Sequence, residues 1–354
     1  MRGFRKGLGR GASIGAAFIV LAAAATLFAA AVSALPQKSH APRGRQSEWT
    51  DVARIVAVGD LHGAYEEFTA VLKGTDLIDE ALHWKGGRTH LVQIGDIIDR
   101  GPEARRIYDL LNNLEREAEE AGGRVHMLIG NHEAMALMGI SFDYEGFITV
   151  EQFTSFLPDL YRRRLVAEFR KKSGPDGDLN LFWKRLISSD VRAQTLYMQS
   201  LREHYGRWIA SHNTVIKIND VVFVHGGLND RYSAWPLDRL NRTVSDELMS
   251  FVAGSPQPTH VLYDGEGPLW YRDLAVKSED VMNSELDTVL ANLKASTLVV
   301  GHTPTAGSRS LESLTRFSRR LWIIDTGIWN PISGRIGALI IENGIFNVWG
   351  KAND

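Results

Sequence analysis

The stretch Arg54–Gly63, with the sequence RIVAVGDLHG, shows how this chain is built. After the leading arginine come four apolar residues, three of them β-branched, and such a run favours a buried β-strand. Gly59 and Asp60 follow at once, with His62 two residues further on. Because ligand sites of layered α/β proteins commonly lie at the carboxyl ends of strands, this stretch predicts a functional edge of a sheet.

The same order, an apolar strand followed by a polar side chain, recurs along the chain. It is found at residues 90–96, 125–131, 221–225, 297–302 and 322–325. Between the early strands, Tyr65–Lys73 and Glu103–Ala121 have the spacing of helices, whereas the later part is richer in strands. The pattern predicts an α/β fold of two packed mixed β-sheets flanked by helices.

One catalytic domain is predicted over residues 51–350, preceded by a polar linker with two prolines over residues 35–50. Residues 136–211 are rich in Leu, Arg, Phe, Tyr and Glu, which predicts a helical insertion that roofs the site. The insertion carries two basic runs, Arg162–Arg164 and Arg170–Lys172. Phosphate binding is one interpretation, but a solvated helix face is the commoner role of such runs and is favoured.

Residues 1–34 have the layout of a secretory signal peptide. A basic patch of Arg2, Arg5, Lys6 and Arg10 precedes an apolar stretch from Ile14 to Val32, and Val32-Ser33-Ala34 supplies the small residues of a cleavage site after Ala34. An uncleaved membrane anchor is the alternative, because the stretch approaches the length that spans a bilayer. The alanine-rich composition disfavours a buried helix of the catalytic domain. We therefore predict an exported, periplasmic or extracytoplasmic protein that meets a membrane only if this segment is retained.

The bulk composition excludes several classes of function. The 354 residues carry a formal net charge of −2, which gives no sign of general nucleic-acid binding. There is no cysteine, so disulfides, thiolate metal sites and a cysteine nucleophile are ruled out.

Six side chains at the strand ends have the chemistry of metal ligands. Asp60 and His62 are two residues apart and can face one ion, whereas Asp96 can place one oxygen on each of two ions. Oxygen and nitrogen donors without sulfur suit Mn, Fe, Zn or Co, with Mn or an Fe/Zn pair favoured. Any one of these residues alone is explained as a helix cap or loop residue, but together they favour a dinuclear site. The six are Asp60, His62, Asp96, Asn131, His225 and His302.

The remaining histidines lack such a context. We interpret them as core, surface or supporting residues. They are His83, His90, His126, His204, His212 and His260. His40 lies in the linker and His132 is treated with the catalytic residues below.

Three intact motifs make the chain similar to a known family. They are Gly-Asp-Leu-His-Gly at 59–63, Gly-Asp-Ile-Ile-Asp-Arg-Gly at 95–101 and Gly-Asn-His-Glu at 130–133. The chain resembles the calcineurin-like metallophosphoesterases of the phosphoprotein phosphatase branch. The segment GPLWYR at 267–272 and the insertion make it most similar to the bacterial and plant Shewanella-like phosphatases. The resemblance implies a four-layer sandwich fold and two divalent metal ions.

The resemblance also implies a role for each matched residue. Of the six ligands, Asp60 and His62 would hold one metal ion, Asp96 would bridge both ions, and the other three would hold the second ion. A hydroxide bridging the ions would attack phosphorus in line, without a phosphoenzyme.

Catalytic roles follow by the same matching. His132 would be the general acid that protonates the leaving oxygen, and Asp99 would orient its imidazole and favour its charged form. Arg100 would grip phosphate oxygens through its planar guanidinium. Arg272 would be a second clamp, and Asn131 would also contact the substrate.

Three further residues leave alternatives open. Glu133 is expected to give buried hydrogen-bond support rather than to take part in the chemistry. Trp270 and Tyr271 can stack on a phenyl ring of the substrate or belong to the core, which is the commoner position of such a pair.

The predicted function is hydrolysis of phosphomonoesters, with phosphorylated proteins as substrates and phosphotyrosine as a candidate, since some Shewanella-like relatives act on it. The alternative is an exported hydrolase of small phosphoesters or dinucleoside polyphosphates. The pair Asp99 and Arg100, together with Glu133, favours the protein phosphatase branch. A non-catalytic, metal-stabilised binding module is disfavoured, because it would have little use for His132 or the two arginines. No nucleic-acid partner is predicted.

Overall fold

The fold is described by a computed structural model over residues 46–305, 314–330 and 334–351. The signal peptide or anchor predicted over residues 1–34, and the linker up to residue 45, lie outside the described residues. Within the described ranges, none of the helices combines the length and the apolar composition that crossing a bilayer requires.

The strands begin and end close to where the sequence predicts them. The predicted strands at 54–58, 221–224 and 297–300 have those bounds in the structure, and the others differ by one or two residues at an end. In chain order the strands are β1 (Glu48–Trp49), β2 (Arg54–Val58), β3 (His90–Gln93), β4 (Arg124–Met127), β5 (Val215–Ile218), β6 (Val221–Val224), β7 (Thr297–Val300), β8 (Thr315–Arg316), β9 (Leu321–Ile323), β10 (Ile336–Glu342) and β11 (Ile345–Lys351).

These strands form two mixed sheets, as predicted. One sheet has the strand order β1-β5-β6-β7-β9-β8, and the other has the order β11-β10-β2-β3-β4. In the second sheet, β2, β3 and β4 are parallel; in the first, β6, β7 and β9 are parallel. Strand β1 pairs with β5, so Glu48 and Trp49, at the end of the segment predicted as a linker, are part of a sheet.

Alternation along each strand explains the layering. In β2, Ile55 and Ala57 pack in the cluster between the two sheets, whereas Val56 and Val58 pack in the cluster under the helices. Both faces are apolar, as expected for strands that are covered on both sides. Full burial of one such side chain contributes about 1.5–3 kcal/mol, so the two clusters fix the positions of the strand ends.

The helices flank the sheets and build the insertion. The helices predicted at 65–73 and 103–121 are found at 65–74 and 104–120. In chain order the helices are α1 (Tyr65–Gly74), α2 (Ala104–Glu120), α3 (Asn131–Met138), α4 (Val150–Phe156), α5 (Asp159–Ser173), α6 (Leu179–Ser189), α7 (Val191–Leu201), α8 (Arg207–Ala210), α9 (Asp230–Ser233), α10 (Leu237–Val252), α11 (Asp273–Val276) and α12 (Glu279–Leu293), with a 3₁₀ turn at Ile140–Asp143 and a π turn at Arg202–Gly206.

The insertion is helical, as its composition predicts, and runs through α4 to α8. Helix α5, which carries both basic runs, has no buried residue. Arg162 pairs with Asp159 and Arg164 pairs with Glu168 along its surface. This agrees with the interpretation of the basic runs as a solvated helix face.

Candidate metal centre

The strand ends of both sheets meet at one site. Asp60, Asp96 and Asn131 follow β2, β3 and β4 of one sheet, whereas His225 and His302 follow β6 and β7 of the other. All five side chains are buried. The carboxyl ends of two groups of parallel strands therefore face each other and bring together residues that are up to 242 positions apart in the sequence.

The backbone at these strand ends is unusual. His62, Asp96 and His302 have φ angles of 42°, 57° and 61°, in the left-handed region that non-glycine residues seldom adopt. Asp99 and Arg100 have φ angles of 70° and 67°. Such conformations cost free energy and persist where the surrounding structure holds them, commonly at functional sites.

Two glycines allow the strand ends to approach one another. A Cβ atom on Gly130 would lie 2.2 Å from Asp96 Oδ1, and one on Gly301 would lie 2.4 Å from Asp60 Oδ1. Any side chain at either position would displace a carboxylate, so both positions require glycine.

The first group of donor atoms surrounds one side of the Asp96 carboxylate. His62 Nδ1 lies 3.0 Å from the carbonyl oxygen of Ile98, which turns its Nε2 towards Asp96 Oδ2 at 3.7 Å. His132 Nε2 is 3.9 Å from the same oxygen. His62, Asp96 and His132 could together hold one ion by distance alone.

The second group surrounds the other Asp96 oxygen. His225 Nδ1 is 3.0 Å from the carbonyl oxygen of Ile94, so its Nε2 points inward, 3.3 Å from Asp96 Oδ1. The same Nε2 lies 2.8 Å from Asn131 Oδ1 and 3.2 Å from His302 Nδ1. Asp96 therefore stands between two sets of nitrogen and oxygen donors, in the arrangement that the sequence predicts for a shared ligand.

A third acid, which the sequence analysis did not assign to the site, lies beside Asp60. Asp325 follows β9, is 2% exposed, and accepts a hydrogen bond from the backbone N–H of Gly327 at 2.9 Å. Burial, the neighbouring Asp325 carboxyl and Asp96 raise the pKa of Asp60 well above its usual range. The backbone N–H of His302 lies 3.1 Å from both Asp60 oxygens. Asp325 directly follows the predicted strand at 322–324, and this position at a strand end is the signal by which the sequence could have identified it.

The donor set fits hard or borderline divalent cations. Three buried carboxylates converge where few protein cations neutralise them, and buried charge is stable only when it is paired. Burial lowers the pKa of His62 to about 3 and that of His302 to about 2, so both imidazoles are neutral and have a lone pair to offer. Neutral imidazole and carboxylate donors without sulfur suit Mn, Fe, Zn or Co.

His132 is held by a buried carboxylate from the other side. Its Nδ1 lies 2.9 Å from Asp99 Oδ2, and Asp99 is fully buried. Burial opposes the charged form of His132, but Asp96 and Asp99 outweigh that effect and raise its pKa. The ring is thus fixed in orientation and can carry a proton on Nε2, which faces the centre of the site.

The insertion supplies the groups that hold Asp99. Ser141 Oγ donates to Asp99 Oδ2 at 2.8 Å, and Gln152 Nε2 donates to Asp99 Oδ1 at 3.0 Å. The backbone N–H of Asp99 donates to Gln152 Oε1 at 2.9 Å, and Gln152 also bonds the hydroxyl of Tyr197 at 2.9 Å. No motif or periodicity in the sequence points to Ser141, Gln152 or Tyr197.

Arg100 lies between two aromatic side chains. Its guanidinium carbon is 5.4 Å from the ring centre of Phe147 and 5.3 Å from that of Trp329. Its backbone N–H donates to the carbonyl oxygen of Phe147 at 2.6 Å, and one terminal nitrogen is 3.3 Å from His132 Nε2. These contacts hold a planar cation beside His132 Nε2.

Glu133 is a structural support, in agreement with its interpretation. Its carboxylate accepts hydrogen bonds from the backbone N–H groups of Asp96, Ile97 and Gly130 at 2.8–2.9 Å. The hydroxyl of Tyr108 donates to it as well, at 3.1 Å. It therefore fixes the two turns that carry Asp96 and its neighbours.

Arg272 reaches the site from the loop that precedes α11. It is exposed, and one of its terminal nitrogens lies 3.5 Å from His302 Nδ1. The backbone N–H groups of Gly226 and Gly227 donate to the carbonyl oxygen of Pro268 at 2.8 and 3.3 Å, which ties the loop to the strand end that carries His225.

Glu247 accepts three hydrogen bonds from successive backbone N–H groups at the start of the same loop. The donors are His260, Val261 and Leu262, at 2.8, 3.2 and 3.0 Å. The Glu247 side chain is largely buried on α10. We refer to residues 260–272 as the arginine loop; Glu247 fixes where it begins.

The two aromatic residues of the loop differ in position. Tyr271 is 3% exposed and its hydroxyl donates to Glu285, so it belongs to the core. Trp270 is half-buried, with its ring centre 6.1 Å from that of His302. Only the tryptophan remains available at the edge of the site.

The chain is similar to known proteins over most of its length. A family model described as calcineurin-like phosphoesterase matches residues 53–306. The chain is 30% identical to Shewanella-like protein phosphatase 2 of Arabidopsis thaliana over 272 residues, which cover 73% of this chain and 68% of the relative. It is 29% identical to Shewanella-like protein phosphatase 1 of Plasmodium berghei over 281 residues, which cover 78% and 67%. A solved cold-active protein tyrosine phosphatase matches with a TM-score of 0.61 and 25% identity, covering 86–87% of this chain and 82% of the other.

Proposed function

Since the chain belongs to the calcineurin-like phosphoesterase family, whose members are metal-dependent phosphoester hydrolases, we propose that it removes phosphate from phosphorylated proteins with the help of two divalent metal ions. The observation that carries the proposal is the position of Asp96. Its two oxygens face separate histidine-containing groups, with the His132–Asp99 pair alongside.

We assign five ligands from the contacts around Asp96, and the sixth, Asp60, from the sequence motif that it shares with His62. Asp60 and His62 would hold one ion, Asp96 both ions, and Asn131, His225 and His302 the second ion. When bound, such a pair of ions supplies a nucleophilic hydroxide near neutral pH and neutralises charge on the phosphate. Manganese or an iron and zinc pair suits these donors.

The chain's own residues supply the proton and the phosphate contacts. His132 Nε2 carries the proton that the leaving oxygen takes, and Asp99 keeps the proton on Nδ1 so that the ring stays in this orientation. Arg100, fixed between two rings, presents a fork of donors to the phosphate oxygens. Arg272 would do the same from the arginine loop, and Asn131 would also contact the substrate.

The proposal that phosphotyrosine is a substrate has two supports. One relative of this fold, at 25% identity, is a protein tyrosine phosphatase. In addition, the ring centre of Phe147 lies 4.8 Å from that of His132, the residue that would protonate the leaving group. An aryl leaving group beside His132 would therefore meet an aromatic surface.

We further propose that the protein acts outside the cytoplasm. The support is the sequence of residues 1–34, with its basic start, apolar stretch and small residues before the cleavage site. Fractionation of the producing cells, with determination of the N-terminal residue of the mature protein, tests this: a mature chain that begins near residue 35 in the extracytoplasmic fraction is expected.

A substrate panel tests the function. Purified protein is stripped of metal, reloaded with Mn, Fe/Zn or Zn, and assayed on a phosphotyrosine peptide, a phosphoserine peptide, para-nitrophenyl phosphate and a dinucleoside polyphosphate. We expect chelator to abolish hydrolysis, metal to restore it, and the phosphopeptides to have the highest kcat/KM. A preference for the dinucleoside polyphosphate would overturn the phosphoprotein assignment, and hydrolysis that survives chelation would overturn the metal mechanism.

A further inference from the structure

A concave region of the insertion adjoins the proposed active site. It lies between segment 141–151 and helix α6 and has a volume of about 890 Å³. We call it the insertion cleft. Ligand sites of proteins commonly have volumes of about 300–1,000 Å³, so this cleft is large enough for several residues of an extended chain.

The cleft and the active site share a wall. Tyr144 lines the cleft, and its ring is stacked on that of Phe147 at 4.8 Å with an interplanar angle of 15°. Phe147 in turn lies against His132 and Arg100. A group that leaves on the His132 side of the phosphate therefore emerges beside the ring pair that borders the cleft.

The same segment holds the general acid. Ser141 lines the cleft and donates to Asp99, and Gln152, which also bonds Asp99, directly follows the cleft residue Glu151. Occupation of the cleft would thus act on walls that already fix the His132–Asp99 pair.

Opposite charges face each other across the cleft without pairing. The segment side carries Asp143, Glu145 and Glu151, and the α6 side carries Lys184 and Arg185. Within the described residues, none of these five side chains forms an ion pair, although Arg162 and Arg164 on neighbouring α5 both do. Two unpaired walls of opposite sign suit a ligand that carries charges of its own.

The cleft also exposes apolar surface. Tyr144 is 50% exposed and Leu181 is 44% exposed, both among its lining residues. A cleft that combines exposed apolar side chains with unpaired charges matches the mixed chemistry of a polypeptide better than that of a small phosphoester.

We propose that the insertion cleft binds the polypeptide that flanks the phosphorylated residue, with acidic side chains of the substrate paired to Lys184 and Arg185. The inference rests on the proposed function, because it assumes that the leaving group departs beside His132. It assigns the choice between proteins and small phosphoesters to the insertion, and the hydrolysis itself to the strand ends.

A charge reversal with a matched control tests this. The double variant Lys184→Glu/Arg185→Glu is compared with Lys171→Glu/Lys172→Glu, which reverses two adjacent exposed charges on α5 outside the cleft. Both are assayed, fully metal-loaded, on para-nitrophenyl phosphate and on two phosphopeptides of equal length, one with acidic and one with basic flanks.

We expect the cleft variant to lower kcat/KM on the acidic-flanked peptide by about tenfold, because it removes two attractions to the peptide and creates two repulsions. On para-nitrophenyl phosphate it should stay within about twofold of the unaltered protein, as surface changes usually do. The α5 variant should stay within about twofold on every substrate.

Three results would overturn the proposal. They are an equal loss by both variants on the acidic-flanked peptide, a parallel loss of the cleft variant on para-nitrophenyl phosphate, and an unaltered protein that hydrolyses para-nitrophenyl phosphate but neither peptide. The last result leaves the metal-dependent hydrolase intact. Conversely, absence of metal-dependent hydrolysis on every substrate would reject the function on which the cleft proposal rests.

The variant Leu181→Ser is a second probe, because it removes exposed apolar contact from the cleft and changes no charge. It is expected to lower kcat/KM on both peptides by about threefold and to leave hydrolysis of para-nitrophenyl phosphate unaffected.

Discussion

Two pairs of buried histidines in this molecule have nearly the same geometry and different surroundings. At the strand ends, His225 Nε2 lies 3.2 Å from His302 Nδ1. Elsewhere in the sheets, His126 Nε2 lies 3.1 Å from His90 Nδ1, with the ring of Trp49 4.4 Å from that of His126. Burial and a neighbouring arginine lower the pKa of His302 in the first pair and the pKa values of both His90 and His126 in the second.

The difference between the pairs lies in the carboxylates. His225 Nε2 is 3.3 Å from an oxygen of Asp96, whereas the charged neighbour that acts on both His90 and His126 is the cation Arg124. Within the described ranges, groups of three or more donor side chains close enough for one ion occur around Asp96. Nitrogen atoms in proximity are thus common to both pairs, but only one pair has anions beside it that a divalent cation would neutralise.

The largest expected effect comes from removing the shared anion. Asp96→Asn should lower kcat/KM by more than about 10⁴-fold, because both the nucleophile and the charge neutralisation depend on the metals. Loss of one general acid alone costs at most about 10⁴-fold, so a larger loss is expected here. Elemental analysis should find fewer than two ions per chain. Asp238→Asn, on the exposed face of α10, serves as the control and should retain both metal and activity. Full metal content in Asp96→Asn would break the comparison.

The next effect concerns the histidine that donates a proton. His132→Asn should keep its metal and lower kcat by about 10²–10⁴-fold on an alkyl phosphate. The loss should be smaller on an aryl phosphate, since a phenolate leaves with less help from an acid. Single-substrate kinetics on one ester of each kind decide the matter; equal losses on both would contradict the role of His132.

A smaller effect is expected from the carboxylate that places the arginine loop. Glu247→Gln keeps one carbonyl oxygen as acceptor but weakens three hydrogen bonds to the backbone, so Arg272 should be held less firmly. We expect KM and the inhibition constant for inorganic phosphate to rise together, by about 3- to 10-fold, as for partial loss of a charged hydrogen bond.

The double variant Glu247→Gln/Arg272→Ala shows whether Glu247 acts through Arg272. If it does, Glu247→Gln should change KM by less than about twofold in the Arg272→Ala background, because coupled residues are not additive. Glu115→Gln, which alters a carboxylate bonded to Trp208 and His212 instead of the loop, is the matched control. Additive effects would show that Glu247 supports the fold generally.

The smallest effect on catalysis is expected at the second histidine pair. Burial lowers the pKa of His90 to about 4 and holds that of His126 well below its usual value. Below pH 6.5 the unfolded chain therefore binds protons that the folded chain does not, so stability is lost as the pH falls from about 6.5 towards 4, and is fully present above 6.5.

The test is His90→Gln/His126→Gln, followed by thermal or urea unfolding between pH 4 and 8. The difference in unfolding free energy between unaltered protein and variant should change by at most about 1.4 kcal/mol per pH unit for each ring. Metal content and kcat should remain within about twofold at pH 7.5. Loss of metal from this variant would show that the two histidine pairs are not as different as their surroundings indicate.

The strand-end half of the site could be predicted from the sequence because each of its residues lies close, along the chain, to the strand that positions it. Asp60, Asp96 and Asn131 each lie within three residues of the end of an apolar run, so the strand and the ligand are visible in one short window. Their convergence follows from the parallel order of the strands, which the alternation of strands and helices indicates. Asp325 had the same signal but stood in a segment to which no role was attached.

The insertion half was beyond such an analysis. Ser141, Gln152 and Tyr197 support Asp99 from 42, 53 and 98 residues away, from helices whose packing no local pattern specifies. Phe147, which contacts Arg100 and His132, belongs to a turn between two such helices. Contacts of this kind depend on how helices settle on one another, and composition alone indicated only that helices would be present.

The raised pKa of Asp60 has a consequence for the way the centre is filled. Because Asp60 and Asp325 crowd together with Asp96 in a buried space, their raised pKa values make them hold a proton more tightly while no cation is present. Loading with a divalent ion must then expel that proton into the solvent, so uptake becomes weaker as the medium acidifies. If the protein acts outside the cytoplasm, as proposed above, the pH of its surroundings would therefore set the fraction of the protein that holds metal.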